Sequence, residues 1–202
     1  MSKEAHEEEE VSPNEDLMRE HGLLERILLV YEESAVRLDG GRELPPEVLV
    51  GGAGIVRRFV EDYHEKLEED FVFPRLERAQ KLAELVATLR TQHRSGRRLT
   101  DAITRLASKA SIAAEASRRE LTAALRAFIR MYRPHAARED TVLFPAFREV
   151  VSKHEYDELG EQFEHKEHEL FGKEGFTGMV AAVARLERDL GIDDLATFTP
   201  RA

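Results

Sequence analysis

The chain has 202 residues, with 40 acidic against 30 basic side chains, a net charge of −10 and no cysteine. That balance argues against a nucleic-acid binder, which needs a basic face. The missing thiols exclude disulfides, thiolate zinc sites and iron–sulfur clusters, leaving histidine and carboxylate as the strong side-chain metal ligands.

Residues 1–11 read as a disordered acidic tail, polar and with nothing to bury. The first residues, MSKEAHEEEE, lack the apolar core of a leader, and no run of about eighteen apolar residues occurs; the expectation is a cytoplasmic protein with no membrane segment. Ser12 and Pro13 suit a helix N-terminus, with Glu15 and Asp16 in the turn that the helix dipole favours for acids. This first helix is predicted to run to about Leu38, where Asp39, Gly40 and Gly41 end it. Its apolar stripe, Leu17, Leu24, Leu28 and Tyr31, contains one histidine, His21.

A second helix opens after Pro45 and Pro46 and carries Val56, Val60, His64, Leu67, Glu68 and Phe71 on one side, with a stop or kink expected at Pro74. The third, about 80–109, has the stripe Leu82, Val86, Leu89, His93, Gly96, Thr100 and Ile103. After a linker at Ser111–Ser117, the fourth carries Leu121, Leu125, Phe128, Met131, His135, Glu139 and Val142; Pro134 is expected to kink it and Pro145 to end it. Further helices are predicted from Ser152 to Phe171 and from Thr177 to Leu190, and no segment alternates like a strand. The organisation read from this is a bundle over 12–150 and a helical extension over 151–202 packed on it.

Within this pattern one phrase occurs twice: HEKLEEDFVFP from His64 and HAAREDTVLFP from His135, 71 positions later. Each sets a glutamate four residues after a histidine, so imidazole and carboxylate share a helix face. His21 precedes His64 by 43 residues and His93 precedes His135 by 42, so the first helix pair is repeated as the second. Antiparallel neighbours would bring His21, His64, His93 and His135 to one level of a four-helix bundle, beside Glu68 and Glu139. If both glutamates bridge two metals and each metal takes two histidines, each has four protein ligands. An oxo or hydroxo bridge makes five, and a sixth position stays open for a diatomic or peroxide. Mixed imidazole and carboxylate donors suit iron or manganese better than zinc, calcium or magnesium. A single buried histidine is ordinarily a hydrogen-bonded core residue. Six polar groups recurring on four apolar faces are more economically explained by shared metal.

The spacing H…HxxxE…H…HxxxE, with the phrases REHGLLERILLVYEE, IRMYRPHAAREDTVLFPAF and EHELFG, resembles the hemerythrin-like (HHE cation-binding) family over roughly residues 14–171. The resemblance implies an all-α, up-and-down four-helix bundle with additional C-terminal helices. It also implies two non-haem iron ions held by His21, His64, Glu68, His93, His135 and Glu139. His168 in FEHKEHELFG is a seventh candidate ligand; Glu65, Tyr63 and Tyr132 are adjacent groups that could also bind. Oxygen carriers of the family have a histidine four residues after the third-helix ligand, where this chain has Arg97, which points away from reversible oxygen carriage. The functions expected are handling or sensing of O2, NO or peroxide, with catalase-like or nitric-oxide-reducing turnover left open. An iron-sensing or iron-donor module and a metal-free helical interaction protein are the alternatives. Oligomeric state leaves no trace in the chain.

Overall fold

The computed structural model describes residues 11–200, so the acidic tail expected over 1–11 lies, but for Val11, outside the described residues. Six helices account for most of them: α1 Pro13–Asp39, α2 spanning 46–78, α3 Ala83–Leu106, α4 spanning 115–150, α5 Lys153–Phe171 and α6 Gly175–Leu190. Among the described residues there is no strand, and no helix is long and apolar enough to cross a membrane.

The N-terminal signals of α1 act as their chemistry suggests. Ser12 accepts a hydrogen bond from the Glu15 amide and Pro13 fills the first turn, where its missing N–H costs nothing. Ser152 caps α5 in the same way through Glu155. The expected linker at Ser111–Ser117 is largely helical, because Ser108 caps a short turn, Lys109–Ala113, and α4 starts at Glu115.

Side-chain pairs show that the first four helices form an antiparallel ring. Between α2 and α3 the pairs Arg57–Asp101, Glu61–Thr100, Glu69–His93 and Glu77–Arg90 run in opposite directions along the chain. Glu20–His64 orders α1 against α2, and Gln92–His135 with Glu120–Arg105 orders α3 against α4. His21–Asp140, Glu32–Arg133 and Asp39–Arg126 close the ring between α1 and α4. Leu17, Leu24, Leu28, Phe59, Leu89, Leu125 and Phe128 are buried in the core this encloses. Outside the ring, α6 docks on α1: Arg26 donates to Glu187 at 2.8 Å and Arg37 to the Leu190 carbonyl at 2.6 Å.

The prolines do not stop the helices. At Pro74 and Pro145 helical turns continue to Arg78 and Val150, because each proline follows a wider π-type turn, Glu68–Val72 or Glu139–Leu143. Around Pro74, the Arg75 guanidinium donates to the Phe71 carbonyl at 2.8 Å and Arg90 to the Glu69 carbonyl at 3.5 Å, so arginines serve carbonyls near the irregular turn. At Pro134 the α-helical turns continue unbroken to Arg138; the irregularity begins at Glu139, five residues later.

Candidate metal centre

The ring brings six of the predicted side chains to one level. His21 and His64 are 4 % exposed, as is His135, while His93, Glu68 and Glu139 are fully buried. His64 Nε2 lies 3.0 Å from His21 Nε2 and 3.6 Å from Glu68 Oε1. His93 Nε2 is 3.3 Å from Glu68 Oε2, and Glu139 Oε2 is 3.1 Å from His135 Nε2 and 3.4 Å from His21 Nε2. Two groups compact enough to hold an ion follow: Glu68, His93, His135 and Glu139, and His21, His64 and Glu68. Glu68 belongs to both, and Glu139 faces a histidine of each.

Four further residues set the rings. His64 Nδ1 meets Glu20 at 2.6 Å, His135 Nδ1 meets Gln92 at 2.8 Å, His93 Nδ1 meets Glu69 at 3.0 Å, and His21 Nδ1 meets Asp140 at 2.6 Å. Each partner occupies Nδ1 and leaves Nε2 turned to the centre, an arrangement that orients an imidazole for metal. Their positions repeat. The residue before the histidine on the first helix of each pair, Glu20 or Gln92, holds the ring of the second helix. The residue after the glutamate, Glu69 or Asp140, holds a ring across the bundle. Sequence reading missed this quartet, although Glu69 and Asp140 stand at matching places in the repeated phrases and Glu20 and Gln92 directly precede His21 and His93.

With no ion considered, the centre is electrostatically unbalanced. Both oxygens of Glu68, both of Glu139 and Nε2 of His93 are buried without a hydrogen-bond partner. Unpartnered buried polar atoms ordinarily cost about 1–3 kcal/mol each, so five around one point fit a cation and fit an apolar core badly. Burial, then the nearby carboxylates of Glu139, Glu65 and Glu20, pushes Glu68 well up. Glu139 is held down against burial by His135 and His21. Burial lowers His64 strongly and lowers His93 to about 4, which keeps both rings neutral and free to donate a lone pair.

A second layer lies beside His93. Tyr132 donates to Glu65 at 2.7 Å, and Arg97 pairs with Glu65 at 2.8 Å and Glu69 at 2.9 Å. Arg97 is therefore committed to the carboxylates that support the site, and Glu65 is turned to Tyr132 and Arg97, with Oε2 4.0 Å from His93 Nδ1. Glycine is required at 96, because a Cβ there would lie 1.9 Å from the Tyr132 hydroxyl. Gly96→Ala should displace Tyr132 and lower stability by about 1–3 kcal/mol. In a protein of this size that is a fall of roughly 2–12 °C in Tm, with the metal content kept; an unchanged melting curve would show that Tyr132 is not held there.

His168 is not brought to the centre. It lies in the last turn of α5, exposed, on an open depression that also includes Arg19, Glu161 and His165. Five residues beyond buried Phe163, it has turned roughly 140° away from the face that packs on the bundle. Tyr63 is buried near Glu20 rather than among the six. His154 and His165 are on the surface.

Comparison with known proteins agrees with this geometry. The family described as "Hemerythrin HHE cation binding domain" matches residues 12–147 and again 85–198. Uncharacterized proteins of Mycobacterium bovis and Mycobacterium tuberculosis are each 49 % identical over 190 residues, which is 94 % of this chain and 74 % of theirs. No solved structure matches the chain.

Proposed function

Because the chain belongs to the hemerythrin HHE cation-binding family, we propose that it holds two non-haem iron ions and uses them to handle or sense a small oxidant: O2, NO or peroxide. The observation that supports this most is the set of five unpartnered donor atoms on Glu68, Glu139 and His93, buried where four histidines converge. His93 and His135 would hold one ion, His21 and His64 the other, with Glu68 and Glu139 shared. Iron bound there would supply redox chemistry and coordination positions that six protein side chains cannot fill.

The chain's own residues do the rest. Glu20, Gln92, Glu69 and Asp140 keep the imidazoles from rotating. Phe144 stacks on His21 at 5.6 Å and Phe73 on His93 at 5.5 Å, apolar walls that help to keep bulk water from the buried rings. Tyr132 directs its hydroxyl proton to Glu65, beside His93, and is a fixed hydrogen-bond donor within the second layer.

Iron-loaded protein should contain two ions per chain, absorb in the near ultraviolet, and change that spectrum when NO or peroxide is added. Turnover of peroxide would make it an enzyme; a reversible spectral change without turnover would make it a sensor. His168→Ala should leave iron content and spectrum unchanged. Iron well below two per chain, or a spectrum indifferent to O2, NO and peroxide each added in turn, would overturn the reading.

A further inference from the structure

The twofold repeat around the centre is broken at one place, and a second group of carboxylates has gathered there. Glu20 and Gln92 occupy matching positions and hold matching rings. An amide is enough for that task at Gln92, so the negative charge of Glu20 is surplus to it. Asp16, one turn before Glu20, corresponds to Thr88, whose hydroxyl binds its own helix at Glu84. Glu167 of α5 completes a set of three carboxylates whose nearest oxygens all lie within 4.8 Å of one another.

Asp16 is 6 % and Glu20 2 % exposed. Glu20 Oε2 is spent on His64, while Oε1 is buried with no hydrogen-bond partner. The Tyr63 hydroxyl is a second buried polar group directed at the same carboxylates, with Glu20 its nearest. It is on a residue 1 % exposed, lies against Glu20, and is held up in pKa by burial and by the negative charge of Glu20, Asp16 and Glu167. Its counterpart in the other half, before His135, is Pro134, so this hydroxyl too belongs to one half alone.

Arg19 spans the solvent side of the group, 2.6 Å from Asp16 and 3.4 Å from Glu167. With all three carboxyls ionised, one guanidinium against them would leave two negative charges, which a divalent ion would balance. Glu167 is held in place by the Phe176 amide, which donates to its Oε1 at 2.6 Å, and the absence of a side chain at Gly175 makes room for it.

We propose that Asp16, Glu20 and Glu167, with the Tyr63 hydroxyl, form a separate binding site for a hard divalent cation, of the Mn2+ or Fe2+ class. Carboxylate oxygens are donors that such ions prefer, and the protonated phenol adds a weaker oxygen or a hydrogen bond to the ligand set. The site lies between the open depression of Arg19, Glu161, Glu164 and His168 and the ring of His64, on the only side of the bundle, among the described residues, where a three-carboxylate group touches a centre histidine. Glu20, which also holds His64, is its link to the centre.

The probe is Mn2+ alone, added to the full metal-free chain. Crystals soaked in Mn2+ should show an anomalous peak among the three carboxylates, absent in Glu167→Gln, with peaks at the centre unaffected. Equilibrium dialysis should give one Mn2+ fewer per chain for Glu167→Gln and for Asp16→Asn, each checked for a native melting curve. Since Glu167 is only partly buried, its substitution is the milder. A peak there without peaks at the centre supports this site, while the iron reading of the centre is decided separately by its iron content. Central peaks without it, or equal stoichiometry in wild type and Glu167→Gln, overturn this proposal, and protonation alone then accounts for the cluster.

Discussion

Glu68→Gln combined with Glu139→Gln should abolish tight iron binding, weakening it by more than about a hundredfold, beyond the 10–100-fold typical of losing a residue that merely supports a ligand. Each carboxylate faces histidines from both halves of the site, so no ion would keep a complete set. The metal-free double variant should melt close to metal-free wild type, because relief at Glu68, which burial and neighbouring carboxylates push well up, offsets the lost attraction of Glu139 to His135 and His21. Wild type buries four carboxylate oxygens without partners, and a neutral amide is far cheaper to desolvate than a carboxylate. Iron content by elemental analysis and two melting curves decide the matter. Iron retained at the wild-type level would mean that the two glutamates do not hold metal; a collapsed metal-free variant would mean that they act chiefly as structural polar groups.

Chelation is the second large effect. A ligand present at a thousand times its dissociation constant stabilises the folded state by about 4 kcal/mol, and one kcal/mol moves Tm by roughly 2–4 °C in a domain of this size. Stripping iron should therefore lower Tm by about 10 °C or more. The chelated protein should also acquire a pH dependence above 6.5. Burial, with neighbouring carboxylates, raises Asp16 from 3.8 to about 7 and Glu20 from 4.5 to about 8. Burial raises Glu65 to about 8 despite Tyr132 and Arg97. A carboxyl whose folded pKa is raised contributes stability that is fully present below its unfolded value and is lost as pH rises through the folded one. His21, raised to about 9 because Asp140 and Glu139 outweigh burial, acts in the same direction. The lowered His64 and His93 act oppositely, but only below their ordinary 6.5. Tm of chelated protein should thus fall between pH 6.5 and 8.5. A flat profile, or a chelated protein as stable as the loaded one, would count against metal as part of the fold.

The repeated phrases carried a good deal of this into the sequence. A histidine with a glutamate four residues on, on an apolar stripe, is a local fact of helix geometry, and it led to six side chains that the structure does bring together. The quartet that fixes their Nδ1 atoms stood at matching places in the two halves and was passed over, because Glu20 meets His64, 44 residues away, only once α1 and α2 are in register. His168 failed for the opposite reason: its motif sits among the family phrases, yet helix rotation places it on the outer side of α5. Pro74 and Pro145 do not end their helices, since helical turns resume after the π-type turn before each, which propensity alone does not signal.

Residue pattern alone, then, determined the helical class, the absence of thiolate chemistry and the two histidine–glutamate pairs, since all three depend on composition or on neighbours within a turn or two. Tertiary structure decided which ring nitrogens face inward, which carboxylates are left without partners, and that Glu167 arrives beside Asp16 and Glu20. Those outcomes depend on helix register and on α5 folding back across α1, where residues about 150 positions apart meet, and no local rule of spacing reaches that far.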